Sequence, residues 1–206
     1  MVFTPSRDAG FRDLLEETFQ KRHLVHLPAG SPVPLLRNHI WMVVRGVVKL
    51  SSITIHGDDL LLGLAGPNEP FGEPFSNVEL IDATTLSDVD LLCLSMEEVE
   101  SKPGLAMAML RTLGSRLRQA EAILALLGLR RVEDRVRGFL ELLATDYGQP
   151  CDSGLALNLR LTHQDLASAL STTRVTVTRV LGVLREEGWL QLDGQRNLVV
   201  SHLPRN

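Results

Sequence analysis

The sequence is poor in the residues on which several common functions depend. Only two of its 206 residues are cysteine, Cys93 and Cys151, too few for a disulfide framework, a cysteine-rich zinc site or an iron–sulfur cluster. Aromatic residues make up 4% of the chain, so a surface that stacks sugars or bases is not expected. The apolar runs are too short for a transmembrane helix. The first twenty residues lack the apolar segment of a secretory signal, and we expect a cytoplasmic protein without a metal.

Basic residues do not dominate the chain, whose net charge is -4 at pH 7. Residues 1–129 hold 11 basic and 16 acidic side chains, whereas residues 130–206 hold 10 basic and 9 acidic ones. Lysine is absent from the last third, so all of its basic residues are Arg. Guanidinium groups bind phosphates and guanine edges with two donors at once. The charge pattern therefore favours a nucleic-acid contact in the C-terminal third.

Residues 24–95 have the pattern of antiparallel β-structure. Short apolar runs such as 40–44 and 91–94 alternate with turns that contain Gly and Pro. Evenly spaced short strands with turn signals are typical of a small barrel or jelly roll. We predict an α+β protein in which residues 1–103 form an antiparallel β-roll.

A helical period replaces the strand pattern after residue 103. Over residues 104–130, apolar residues recur at alternating spacings of four and three, the a and d pattern of a coiled coil. This predicts a long dimerisation helix; the alternative is an amphipathic helix that packs on its own domain. Arg116 at g and Glu121 at the following e have the signs of an interhelical salt bridge in a parallel dimer. The predicted seam consists of Ala106, Leu110, Leu113, Leu117, Ala120, Leu124 and Leu127.

Residues 131–206 are predicted to form a winged helix-turn-helix domain. Residues 147–154 are assigned to a loop by their Gly and Pro content. A capping box of the form Thr-x-x-Asp begins a short helix at Thr162, and a second helix follows over about residues 173–187. The Asp-Gly pair at 193 and 194, between two apolar runs, indicates a tight hairpin turn.

The second helix of this domain has the composition of a surface that contacts DNA. No acidic residue lies between Leu166 and Arg185, whereas an ordinary exposed helix face mixes Glu with Lys. Hydroxyl and guanidinium groups suit phosphates and base edges in a major groove; the alternative is a solvated face without a ligand. Arg174, Val175 and Arg179 are expected to read bases. The full set predicted to contact DNA is Thr162, His163, Thr172, Thr173, Arg174, Val175, Thr176, Thr178 and Arg179.

Together these segments resemble the CRP/FNR family of bacterial transcription regulators. The resemblance lies in the long helix, in Leu161-Thr-His-Gln-Asp-Leu-Ala-Ser-Ala-Leu170 and in Ser171-Thr-Thr-Arg-Val-Thr-Val-Thr-Arg-Val-Leu181. In the β-roll it extends to Val44-Arg-Gly-Val-Val48 and to residues 66–73. It implies a homodimeric, non-enzymatic regulator that binds double-stranded DNA and RNA polymerase. It also implies that the β-roll is a sensor domain of the cyclic-nucleotide-binding type.

The resemblance identifies the effector less directly than it identifies the fold. Phe71-Gly72-Glu73 matches the cyclic-nucleotide pocket, but Glu79 lies near the place of the phosphate-binding Arg, so cyclic AMP is not expected to bind. Similarity to the nitrogen-regulating branch in cyanobacteria implies 2-oxoglutarate and a palindrome of the form GTA, eight arbitrary bases, TAC. On this interpretation Gly72, Glu73, Arg116 and Glu121 would serve the effector.

The loop after Gly72 differs from that branch. Glu73 brings a like charge to a carboxylate ligand, and Pro74 has no backbone N–H to donate. We therefore expect weak binding of 2-oxoglutarate, or none, and a regulator without an effector is the alternative.

A second hypothesis is an enzymatic or ligand-binding β-barrel with an accessory helical domain. The sequence contains no arrangement of Ser, His and Asp, of paired carboxylates or of metal ligands that supports it. His23 and His26 lack the spacing and the distant Glu of a metal-binding cupin. No cofactor is expected.

Overall fold

The computed structural model describes residues 23–55, 57, 59–79 and 81–201. The chain divides into two compact units, with the division between Ala120 and Glu121. This division falls inside the segment 104–130 that the sequence assigns to the long helix. In the described part of the chain, no helix is long and apolar enough to cross a membrane.

The described residues of the first unit contain seven antiparallel strands, which are β1 Val25–Leu27, β2 His39–Arg45, β3 Val48–Ile53, β4 Asp59–Ala65, β5 Pro70–Phe71, β6 Ile81–Thr85 and β7 Val89–Ser95. They form a four-stranded sheet in the order β1-β7-β2-β5 and a three-stranded sheet in the order β4-β3-β6. The predicted antiparallel β-roll is confirmed in this part of the chain, and residues 1–22 of the segment assigned to it lie outside the described residues.

The central strands β2 and β7 are buried on both faces. Side chains alternate along a strand, and Trp41 and Val43 of β2 pack inside the roll with Leu91 of β7. Ile40 and Met42 point the other way, into a cluster that includes residues of the following helices. Burial on two faces explains why these strands are unbroken apolar runs in the sequence rather than alternating ones.

Two helices follow β7. The Ser95 hydroxyl caps the first by accepting a hydrogen bond from the Glu98 backbone N–H at 3.2 Å. The second packs on the outer face of β2 and β7 through Leu105, Ala108 and Met109. The short first helix was not predicted. The helices are α1 Met96–Ser101 and α2 Pro103–Leu127.

Helix α2 carries a further apolar stripe beside the packed one. Leu110, Leu117 and Leu124 are 62%, 61% and 69% exposed. Within the part of the chain that the structure describes, these three positions of the predicted seam are therefore largely uncovered. The other heptad positions are Ala106, Leu113 and Leu127, which are half-buried, and Ala120, which is exposed.

The described residues of the second unit contain the end of α2 and the elements α3 Val132–Tyr147, β8 Gln149–Cys151, β9 Gly154–Leu157, α4 His163–Ala169, α5 Arg174–Glu186, β10 Leu190–Leu192 and β11 Leu198–Ser201. The four strands form an antiparallel sheet in the order β10-β11-β9-β8. Residues of α3, α4 and α5 are buried, among them Phe139, Leu166 and Leu181, and the winged helix-turn-helix is confirmed.

The loop predicted for residues 147–154 is wrong. Gln149 to Cys151 pair with Gly154 to Ala156, and the resulting hairpin extends the sheet beside β11. Gly154 has a φ of +150°, and a Cβ atom there would lie 2.0 Å from the Val200 carbonyl oxygen. The Gly that suggested a loop is thus required by the close approach of two strands.

Candidate nucleic-acid interface and effector cavity

The turn between α4 and α5 is fixed by several hydrogen bonds. Ser171 adopts the left-handed conformation, with a φ of 48°, and the Thr172 N–H donates to the Ala167 carbonyl at 3.0 Å. Arg135 of α3 donates from Nη1 to the Leu170 carbonyl at 2.7 Å. Arg135 was missed by sequence reasoning because it lies 35 residues before its partner.

The start of α5 is capped by Thr173. Its hydroxyl accepts a hydrogen bond from the Thr176 N–H at 3.1 Å, and the Thr173 and Thr176 hydroxyls lie 2.9 Å apart. Such a cap occupies a backbone donor that would otherwise lack an intrahelical partner. The hydroxyls of Thr173 and Thr176 therefore stabilise the first turn of α5, and they also lie near its outer face.

The start of α4 has the predicted capping box. The Thr162 hydroxyl accepts from the Asp165 N–H at 3.0 Å, and the Asp165 carboxylate accepts from the Thr162 N–H at 2.8 Å. The local pattern of Thr and Asp three residues apart was sufficient to predict it. Thr162 itself is exposed.

His163 joins the two helices. The Thr178 hydroxyl donates to the Arg174 carbonyl at 2.9 Å, and its oxygen lies 2.8 Å from Nδ1 of His163. Because the Thr178 hydroxyl donates its hydrogen to the Arg174 carbonyl, Nδ1 of His163 donates in the hydrogen bond between His163 and Thr178. Burial lowers the pKa of His163, and the positive charges of Arg185 and Arg174 lower it further.

The side chains that project from α5 are mainly Arg and Val. Arg174, Arg179 and Arg185 are exposed, and Val175 is 79% exposed. Because it is so exposed, the Val175 side chain contributes almost no apolar burial to the stability of the chain. The structure brings His163 and Thr178 together next to Arg174, whereas Thr172 is half-buried in the turn.

The loop between β10 and β11 is wider than predicted. The Asp193 carboxylate accepts from the backbone N–H groups of Gln195 and Asn197, both at 2.8 Å, and from Nδ2 of Asn197 at 2.9 Å. The bonds from Asn197 are the main reason why the pKa of Asp193 is lowered. The left-handed residue is Arg196, with a φ of 66°, and not Gly194. The hairpin that Asp193-Gly194 predicted is confirmed by the antiparallel pairing of β10 with β11. Its tight turn is wrong, and the wider loop presents an exposed Arg that sequence reasoning missed.

Some arginines of the second unit make contacts within that unit. Arg137 forms an ion pair with Glu187 and lies over the ring of Trp189, 4.7 Å from its centroid. Arg135 holds the turn described above. The arginines of α5 and the loop residue Arg196 are among those that the structure leaves at the surface.

The first unit contains a cavity of about 290 Å³. Gly72 and Arg116 line it, whereas Glu73 and Glu121, also predicted for the effector, are not part of the lining. Glu73 is exposed, and its carboxylate lies 3.4 Å from the Asn38 N–H. The like charge that was expected to oppose a carboxylate ligand is thus outside this cavity.

Arg116 enters the cavity from α2. Its Nη1 donates to the Pro70 carbonyl at 3.2 Å, and the buried Gln119 accepts from the Leu64 N–H of β4 at 2.8 Å. A Cβ atom on Gly63 would lie 3.3 Å from Gln119 Oε1 and 3.6 Å from Arg116 Nη2. The absence of a side chain at Gly63 therefore leaves room for Gln119, whereas the distance to Arg116 is an ordinary van der Waals contact. Gln119 was missed by sequence reasoning; a polar residue one turn after Arg116 was its only signal.

Gly72, which directly follows β5, is also required to be a glycine by its surroundings. Gly72 has a φ of +155°, and a Cβ atom there would lie 2.7 Å from the His39 carbonyl oxygen. Glu79 is exposed and is not part of the lining; its carbonyl accepts from the Ser52 hydroxyl at 3.0 Å. Among the residues that the structure describes, no group of three or more His, Cys, Asp or Glu is placed to hold a metal ion.

Comparison with known proteins gives consistent matches over most of the chain. A model of the Crp-like helix-turn-helix domain matches residues 134–205. A global nitrogen regulator of Nostoc sp. is 33% identical over 197 residues, which are 91% of this chain and 85% of that protein. A cyclic AMP receptor protein of Thermus thermophilus is 32% identical over 195 residues, 87% of this chain and 83% of that protein.

A solved structure supports the same relationship. A transcriptional regulator of the CRP/FNR family from Thermus thermophilus is similar with a TM-score of 0.70 and 27% identity, over 88% of this chain and 94% of that one. The two relatives above are almost equally identical to this chain and are named for different roles. Sequence identity therefore does not select an effector.

Proposed function

The chain belongs to the CRP/FNR family of transcription regulators, and from this premise we propose that it is a homodimer that regulates transcription by binding a palindromic DNA site. The outer face of α5 carries the proposal. There Arg174, Val175 and Arg179 are exposed on a helix whose inner face is buried in the core of its unit. They are its first, second and sixth residues, in the half of a recognition helix that reaches base edges.

Each of the three side chains suits a particular contact. Arg174 can donate two hydrogen bonds to O6 and N7 of guanine, a pairing that discriminates by about 1–3 kcal/mol. Val175 has no acceptor for cytosine, and its methyl groups suit the C5-methyl of thymine. Arg179 can contact a second base or a phosphate. His163, which is hydrogen-bonded to Thr178 of α5, and the capped start of α4 would contact the phosphate backbone.

The uncovered stripe of α2 supports the dimer. Leu110, Leu117 and Leu124 are spaced by seven residues and exposed, as the a positions of a parallel coiled coil are before pairing. Packing on the β-roll is centred on Leu105, Ala108 and Met109. Of the predicted seam, Ala106 and Leu113 also pack on this cluster and Leu117 lines the cavity, so the face proposed for a second chain borders the face that packs on the β-roll.

Arg116 is better placed for a ligand than for a partner helix. Its guanidinium group lines the cavity and donates to the Pro70 carbonyl of its own chain, which favours an effector contact over an interhelical bond to Glu121. We accordingly propose that the β-roll senses a small molecule in this cavity. The regulator would then contact RNA polymerase from its DNA site, as the family resemblance implies.

The spacing of the proposed site follows from the dimer. Two α5 helices related by a two-fold axis place half-sites about 34 Å apart, or roughly 10–10.5 base pairs. A palindrome of the form GTA, eight arbitrary bases, TAC has half-site centres about 11 base pairs apart, which is close to this spacing. With Arg174 at the guanine and Val175 at the thymine, the half-site GTA matches the chemistry of the helix.

Selection from random DNA tests the proposal. The wild type should select the palindrome, Arg174→Ala should lose the guanine, and Val175→Glu should move the second base away from thymine. Arg37→Ala, which removes an exposed charge in the first unit, is the matched control and should select the wild-type site. If the wild type selects no palindrome, or the α5 variants select the wild-type sequence, α5 does not read bases as proposed.

A further inference from the structure

We propose that each subunit takes up a proton at His163 when it binds DNA, so that the affinity for the DNA site rises as the pH falls. The neutral imidazole of His163 has no N–H left to donate to a phosphate, whereas the imidazolium has one. The inference deepens the proposed function and rests on it. It is carried by the hydrogen bonds that join His163 to α5.

These hydrogen bonds determine which ring nitrogen of His163 carries the hydrogen. The Thr178 hydroxyl donates to the Arg174 carbonyl at 2.9 Å, and its oxygen accepts from Nδ1 of His163 at 2.8 Å. A neutral imidazole has a single N–H, so with the hydrogen on Nδ1 the other nitrogen, Nε2, holds a lone pair. Among the residues that the structure describes, Nε2 has no hydrogen-bond partner.

The position of His163 brings it to the phosphate backbone in the proposed complex. His163 belongs to α4 and is bonded to Thr178, an exposed residue one turn after Arg174 on α5. When the second helix of this motif lies in the major groove, the first helix crosses the backbone. The oxygens of a phosphodiester only accept hydrogen bonds. Nε2 can therefore bond to a phosphate only after it has taken up a proton.

In the free protein the surroundings of His163 oppose that proton. Burial lowers the pKa of His163, and the positive charges of Arg185 and Arg174 lower it further. Both arginines belong to α5, the helix that packs against α4. On α4 itself, the Asp165 carboxylate accepts from the N–H and the hydroxyl of Thr162 in the capping box. Because the ordinary pKa of histidine is about 6.5, His163 is mainly neutral at about pH 7 in the free protein.

A bound phosphate reverses this balance. Its negative charge favours the imidazolium, so the pKa of His163 rises on binding. The complex then holds more protons than the free partners, and proton and DNA strengthen each other's binding. Between the pKa of the free protein and that of the complex, each subunit takes up as much as one proton. The association constant of a dimer then rises by up to about a hundredfold for each pH unit by which the pH falls.

Fluorescence anisotropy with a labelled duplex that carries the proposed palindrome tests the inference. Dissociation constants of the full-length protein are measured from about pH 8 to about pH 6, a range that includes the ordinary pKa of histidine. The salt concentration is held constant, because it changes affinity for DNA by itself. The wild type should bind at least about tenfold more tightly at the lower pH. Calorimetry in two buffers with different enthalpies of ionisation should show that protons are taken up when the complex forms.

Three substitutions separate His163 from other groups that titrate. His163→Asn keeps a hydrogen-bond donor but does not titrate, and it should lose the gain in affinity at low pH. His163→Arg carries a permanent charge, and it should bind more tightly than the wild type at about pH 8, with little dependence on pH. His23→Asn, which removes an exposed histidine of the first unit, is the matched control and should keep the dependence of the wild type.

Two outcomes would overturn the inference. One is a wild type that takes up no protons on binding, and the other is His163→Asn with the full pH dependence of the wild type. The calorimetry uses the wild type alone, so it decides the matter even if a His163 variant fails to fold. A protein that binds the palindrome equally well across the whole pH range contradicts this inference alone, whereas a protein that binds no palindrome at any pH contradicts the proposed function.

Discussion

The threonine hydroxyls of the helix-turn-helix have partners within the protein. Thr162 and Thr173 cap α4 and α5, and Thr178 bonds to the Arg174 carbonyl and to His163. The hydroxyls thus fix where Arg174 and Val175 project before any DNA is present. A contact with phosphate would be an additional role for these hydroxyls.

Loss of the Thr173 cap should lower stability more than it alters base selection. Thr173→Ala leaves the Thr176 N–H without its partner and should destabilise the protein by about 1 kcal/mol. Thr173→Ser keeps the hydroxyl and should restore most of that loss. Urea unfolding monitored by circular dichroism measures both variants, and equal stability of the Ala and Ser variants would show that the cap contributes nothing.

Protonation of His163 should destabilise the fold at low pH. Its pKa in the folded state is lowered by burial and by the nearby positive charges of Arg185 and Arg174. As the pH falls below the unfolded value of about 6.5, the unfolded chain takes up the proton first, so stability is lost until the pH has passed the folded pKa. The unfolding midpoint of the wild type should therefore fall more between about pH 8 and pH 5 than that of His163→Asn, which keeps a donor but does not titrate. Parallel curves would contradict this assignment.

At the scale of elements, α2 carries residues for two of the proposed roles. Leu105 and Met109 pack against the β-roll, and Arg116 and Leu117 line the cavity. Leu110, Leu117 and Leu124 are exposed and form the seam of the proposed dimer.

Charges in the seam should separate the subunits. In Leu117→Lys with Leu124→Lys, each dimer would bury four ammonium groups without partners, at a cost of several kcal/mol. Sedimentation should show a monomer. Ala125→Lys, at an exposed position outside the seam, is the control and should remain dimeric. A dimeric double variant would show that the chains associate elsewhere.

At the scale of the whole molecule, the distribution of charge matters more than its sum. The net charge of -4 works against indiscriminate binding to the polyanionic backbone of DNA. Exposed guanidinium groups on α5 and on the loop between β10 and β11 provide local attraction, while Arg135 and Arg137 hold the second unit together. On the proposed function, base contacts from α5 would supply much of the selectivity for a DNA site.

The sequence by itself determined the features that depend on neighbours along the chain. The capping box at Thr162, the heptad stripe of α2 and the outward positions of Arg174 and Val175 follow from spacings of three to seven residues. A helix or strand imposes such periods wherever it forms, so they can be predicted without knowing what packs against them. The CRP/FNR resemblance depended on the same local patterns.

Only the tertiary structure decided the features that join distant parts of the chain. In the sequence Gly154 indicated a loop, whereas in the structure it lies in β9, close to the Val200 carbonyl. The role of Arg135 depends on its hydrogen bond to the Leu170 carbonyl. Glu73 turned out to lie outside the cavity, whereas Arg116 lines it and bonds to Pro70. Contacts of this kind depend on how sheets and helices close on each other, which no local period of the sequence encodes.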